Sequence, residues 1–256
     1  MTDFAPPPVV PQEPSSLGGR IVNVLVAPGE VWESIRTEAY RTSNWVVPLL
    51  IGIVAGILFV WVSFSQPGVI DEIIAQQVKA IDASVADGKM TEELAEKARE
   101  QMETMRPMMV TFGRLAGTVA MGVMAVVMQF LVALLLFLIA RWGLKSAVSY
   151  WKCMEVTGLA GMVMVLGTLV TLFLVVLKGS MAANPGPILL FPDVAMGSPK
   201  QALLSSLNVF YFWWAAVLAG GLARLAGRSW AAAAFWVFGL YFLVIAAATG
   251  FAAARS

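Results

Sequence analysis

Three polar side chains fall inside strongly apolar stretches of this chain, and any chemistry would have to start from them: Gln129, Glu155 and Asn208. An ionisable group within a membrane marks an ion path or a proton relay by default, so Glu155 is weighed first. Lys152 and Trp151 stand about one helical turn before it, which makes local pairing or snorkelling the simpler expectation. Gln129 and Asn208 are neutral, and such amides ordinarily hydrogen-bond between helices. The chain has no histidine and one cysteine, Cys153. That excludes a disulfide within the chain, Cys/His zinc sites, His-ligated haem and any triad built on histidine. Cys153 has no imidazole to activate it and reads as packing. Without paired carboxylates or a nucleophile–base pair, no catalytic, metal-binding or cofactor-binding residue can be named, and the chain reads as a non-enzyme.

Glycines carry a stronger signal. Gly52 and Gly56 are four apart, as are Gly113 and Gly117, and Gly158, Gly161 and Gly167 follow. Small residues at that spacing let helix backbones approach closely. Taken together they predict a compact bundle with backbones in near contact and leave room for self-association.

The elements that must position these residues follow from composition. Of 256 residues, 59% are hydrophobic and only 13% charged, and the mean hydropathy is +0.79. A soluble domain is near half apolar and about a quarter charged, so this is a membrane composition. A hydrocarbon core about 30 Å thick needs roughly 20 apolar residues in a helix. Five segments qualify: 45–65, 115–140, 154–177, 201–223 and 230–254. The expected fold is therefore an all-α integral membrane protein with five transmembrane helices. Net charge is +1, so nothing suggests nucleic acid; membrane lipids are the certain neighbours.

Charge bias suggests sides. Arg20, Arg36 and Arg41, then Arg141, Lys145 and Lys152, then Arg224 and Arg228 all fall on one face of a five-span topology, whereas the opposite face has Lys178, Lys200 and Arg255 outside one long loop. By the positive-inside rule the N-terminus is cytoplasmic and the C-terminus lies outside the bacterial inner (plasma) membrane. The long loop, 66–107, shows helical spacing of Ile70, Ile73, Ile74, Val78 and Ile81, a turn at Asp87-Gly88, and a second helix capped at Thr91. It is expected to be an acidic helical hairpin, and a loop over 178–199 follows the third span. Residues 17–41 read as two amphipathic helices, with apolar stripes at Leu17, Ile21, Val24 and Leu25 and at Val31, Trp32 and Ile35. They carry arginines, so they are expected to lie in the membrane interface or, equally, to dock on the end of the bundle. Residues 1–16 read as a proline-rich disordered tail rather than a secretory leader.

The run LNVFYFWW, from Leu207 to Trp214, lies within the fourth span. An uninterrupted helix over 201–223 has its midpoint near residue 212, which puts Trp213 and Trp214 near the bilayer centre. Asn208, Ser205, Ala215, Ala219 and Ala223 then share a face expected to enter the bundle. Phe210, Trp213, Trp214 and Val217 would meet lipid or another subunit.

Three stretches together resemble the bacterial branch of the Yip-domain family, membrane proteins that interact with Ypt/Rab GTPases. They are RIVNVLVAPGEVWESI (Arg20–Ile35), SAVSYWKCMEVTGLAGM (Ser146–Met162) and LNVFYFWWAAVLAGGLARLAGRSWAAA (Leu207–Ala233). The resemblance implies five spans and a scaffolding role in membrane organisation, with protein partners or self-association. The aspartate-leucine-tyrosine-glycine-proline element typical of many members is absent, which argues against small-GTPase binding. The competing expectation is a small-molecule or ion permease using Asn208, Gln129 and Glu155 as a sparse polar path, or a small subunit of a larger complex.

Overall fold

The computed structural model describes residues 16–191, 194 and 197–255. The expected tail at 1–16 lies outside the described residues except for Ser16, and the 178–199 loop is described only in part. Among the described residues there is no strand; five helices are long and apolar enough to cross a membrane. The chain is thus an all-α integral membrane protein.

Two short helices come first, α1 (Leu17–Val26) and α2 (Pro28–Thr37). Ser16 caps α1 by accepting from the Gly19 N–H at 3.1 Å, and Pro28 occupies the first turn of α2, where its missing N–H is not needed. The first span, α3 (Ser43–Ser63), follows, then α4 (Pro67–Ala86) and α5 (Glu92–Thr104). The second span, α6, runs from Arg106 to Leu138 and widens into a π-helical turn over Ile139–Gly143. It is joined by a short loop to α7 (Tyr150–Lys178), which Ser149 caps. A 3-10 turn at Pro187–Leu190 precedes α8 (Pro199–Ser206), α9 (Val209–Ala226) and α10 (Trp230–Arg255).

α7 is the axis: α3, α6 and α9 all pack on it, and it holds the longest run of buried residues, from Cys153 to Ala160. α1 and α2 are docked on the end of the bundle, with Val24, Val31, Trp32 and Ile35 sealed against α7 and α9. That cap lies at the start of α3, and α4 with α5 lies past its other end. Val69 of α4 packs against Val175 and Ala183 there. Glu72 accepts from the Ser180 hydroxyl and the Met181 N–H, both at 3.0 Å.

Two sequence expectations are corrected. The helix that carries the second span starts before 115: α6 is helical from Arg106, with Pro107 in a first-turn position. At about 1.5 Å per residue its 33 residues exceed the hydrocarbon thickness. The fourth apolar segment is also not one helix. Leu207 and Asn208 leave helical geometry, and the Asn208 side chain accepts from the Phe210 N–H at 2.9 Å, which starts α9 afresh. Asparagine competes for backbone N–H groups in this way and favours such a cap.

The restart changes the aromatic run. Trp213 and Trp214 lie in the second turn of an 18-residue helix, well away from its midpoint. Ser205 no longer shares a helical face with Asn208. Asn208, Ala215, Ala219 and Ala223 are buried, but so is Val217, and Phe210, Trp213 and Trp214 are half-buried against the main core.

Candidate functional site: a charged network beneath the N-terminal cap

Glu155 is completely buried on the first turns of α7. Its Oε1 accepts from the Asn44 amide at 2.6 Å and from the Arg41 backbone N–H at 3.0 Å. Its Oε2 lies 3.0 Å from the Lys152 ammonium, one turn back on the same helix. Lys152 in turn donates to the carbonyls of Ile35 and Glu38, at 2.6 and 2.8 Å, and so ties the end of α2 to α7.

The second half of the network starts on α1. Arg20, 1% exposed, ion-pairs with Glu38 and donates to Asn44 Oδ1 at 3.3 Å. Arg41 also reaches Glu38, at 3.0 Å. Asn44 is the hinge between the halves, since its carbonyl oxygen takes Arg20 and its amide nitrogen serves Glu155. Burying a charge without partners costs many kcal/mol, and here each buried charge faces an opposite charge and further hydrogen bonds. Oε1 takes both hydrogen bonds, while Oε2 faces the Lys152 ammonium as an ion pair and accepts no hydrogen bond among the described residues. That arrangement ties α1, α2, α3 and α7 together.

The network lies beside a close crossing of α7 and the α3 backbone. A Cβ at Gly158 would stand 2.3 Å from Trp45 Cα and 3.0 Å from the Asn44 carbonyl oxygen. Only glycine lets α7 meet the α3 backbone there, one turn from Glu155.

The remaining residues singled out from sequence sit elsewhere. Gln129 of α6 donates to the Met154 carbonyl at 3.1 Å, bridging α6 and α7 beside the network. Asn208 caps α9 and lines a small cavity with Phe59, Met121 and Gly167. Glycine spacing foretold close contact, but the two pairs make it with side chains. Gly113 and Gly117 receive Phe64 and Val60 of α3, Gly56 receives the flexible end of Met121, and Gly52 only touches Val165 at ordinary distance. Backbone-to-backbone approach occurs at Gly158 instead, and at Gly68 against the Gly179 carbonyl.

Arg20, Glu38 and Asn44 were not marked by sequence reasoning. Arg20 is four residues before Val24, so it lies on the buried stripe of α1 and not on its polar face; that spacing was the available signal. Among the described residues no group of three His, Cys, Asp or Glu side chains could hold a metal ion.

A family model, the Yip1 domain, matches residues 22–252. No curated protein and no solved structure matches the chain significantly.

Proposed function

The chain belongs to the Yip1-domain family of membrane proteins, and we propose that it acts without catalysis, as a polytopic scaffold that presents two rigid extramembrane surfaces to protein partners and organises the membrane around them. The observation that carries this reading is the self-contained bonding of its polar interior. Glu155, Gln129 and Asn208, the residues a permease would need, each bond to groups of the same chain. Glu155 and Gln129 cluster at the cap, while Asn208 lies against Gly167, some twelve residues further along α7, or roughly 18 Å. They form no continuous path. What remains for contacts is the α1–α2 cap at one end of the bundle and the α4–α5 hairpin at the other.

The cap end carries Arg36, Arg41, Arg141, Lys145, Arg224 and Arg228, and the bias supports a cytoplasmic cap in a bacterial inner membrane. The test is purification in mild detergent with mass spectrometry, alongside solute flux in reconstituted vesicles. Partners that depend on the exposed faces of the cap or hairpin, with no flux, are expected. Recovery of the protein alone, or flux lost in Gln129→Ala and Asn208→Ala, would contradict the proposal.

A further inference from the structure

On one flank of the cap, α2, α9 and the start of α10 enclose a cavity of about 540 Å³. Trp213, Ala216, Val217, Gly220 and Arg224 line it from α9, spaced three and four apart and so on one face. This face forms a groove of roughly 16 Å from the arginine inward to the tryptophan. Trp32 of α2 and Trp230 of α10 flank it.

The polar end is built of donors. Arg228 is fixed by its Nε donating to the Leu144 carbonyl at 3.1 Å. Arg224 is exposed, and its nearest recorded carboxylate is Glu33 at 3.9 Å. Glu33 itself is engaged more closely by Arg36, whose donated hydrogen bonds hold that carboxyl below its ordinary range. The Trp32 side chain is 1% exposed, yet its Nε1 has no hydrogen-bond partner among the described residues. Buried N–H groups are nearly always paired, so this one calls for an acceptor. Its Nε1 edge faces Gly220: a Cβ there would sit 3.4 Å from Trp32 Nε1 and 3.9 Å from Trp230 Cδ1. Glycine keeps the space between the two indoles open.

We propose that this cleft binds one phospholipid with an anionic head group. Its phosphate meets Arg224 and Arg228, an ester oxygen accepts from Trp32 Nε1, and an acyl chain follows the α9 groove toward Trp213. Guanidinium groups match phosphate oxygens in geometry and charge, and indoles suit the boundary between head group and chain. A soluble phosphate ester shares the head-group chemistry, but it leaves the apolar groove unfilled. The inference goes beyond the scaffold reading and rests only on membrane insertion, so either can fail without the other.

Native mass spectrometry of the full-length protein released from detergent tests it, with phosphatidylglycerol and phosphatidylcholine added separately. Retention of phosphatidylglycerol over phosphatidylcholine is expected. Arg224→Gln should cut it roughly tenfold, as loss of a charge-assisted contact does, with Arg224→Lys retaining part of it. Gly220→Leu, which fills the groove, should abolish it. Arg224 is exposed, so its variant keeps the test informative should Gly220→Leu misfold. Arg141→Gln, at the same end but outside the cleft, should change nothing. Equal retention of both lipids, unchanged retention in Arg224→Gln, or an equal loss in Arg141→Gln would overturn the site. Displacement of the lipid by glycerol 3-phosphate would reassign the arginines to soluble phosphates and overturn the lipid.

Discussion

The two ends of this molecule use the same residue types to different effect. At the cap, Arg20, Asn44 and Glu155 are out of water and interlock with the partly buried Glu38 and Lys152. In the hairpin, Arg99 pairs with Asp82 and Glu92 at 2.6 and 3.0 Å, and Lys97 pairs with Glu93 at 2.7 Å, all on an open surface. The hairpin distances are as short as those at the cap, so pair geometry does not separate the ends. Burial does. An exposed pair competes with water and is screened by salt, whereas a buried one that loses a partner leaves a charge it cannot hydrate. The cap network therefore acts as a clamp and the hairpin pairs as a soluble coat.

Breaking the comparison should give its largest effect at Glu155. Glu155→Ala leaves the Lys152 ammonium without its counter-charge and the Asn44 amide without its acceptor, and should cost about 3–5 kcal/mol. A large fall in the thermal midpoint in detergent would read it. Gly158→Ala comes next, at about 1–3 kcal/mol or more, because the added methyl meets the α3 backbone and no flexible side chain can yield. The same measurement applied to Gly56→Ala should show less, since only the end of Met121 must move. Asn208→Ala removes the α9 cap and should cost about 1 kcal/mol. The smallest effect belongs to the hairpin: Arg99→Ala should shift the midpoint within error, and any shift should vanish at high salt. A salt-insensitive loss at Arg99 would erase the distinction between the ends.

The spans and the hairpin turn were legible because length, apolar runs and Asp87-Gly88 are local signals. The cap network was not, for a physical reason. Glu38 and Asn44 lie 18 and 24 residues from Arg20, and Glu155 lies a further 111 beyond Asn44. Periodicity within α1 shows a stripe but not what lies opposite, so an arginine on that stripe was counted only toward the charge bias. Glu155 was read as pairing locally with Lys152, which is only part of its set of partners. The restart at Asn208 escaped because hydropathy continues across it, and only its side-chain cap reveals the break. Likewise, the loop was bounded at 107 from sequence, and Pro107 occupies the first turn of α6 in the fold.

The most direct test of the clamp is hydrogen–deuterium exchange on the full-length protein, comparing Glu155→Ala and Arg99→Ala with the parent. Amides across α1 and α2, residues 17–37, should lose protection in Glu155→Ala while the hairpin over 67–104 stays protected, and Arg99→Ala should leave the cap unchanged. Unaltered protection of α1 and α2 in Glu155→Ala would contradict the account, because the buried network would then not be what holds the cap to the bundle.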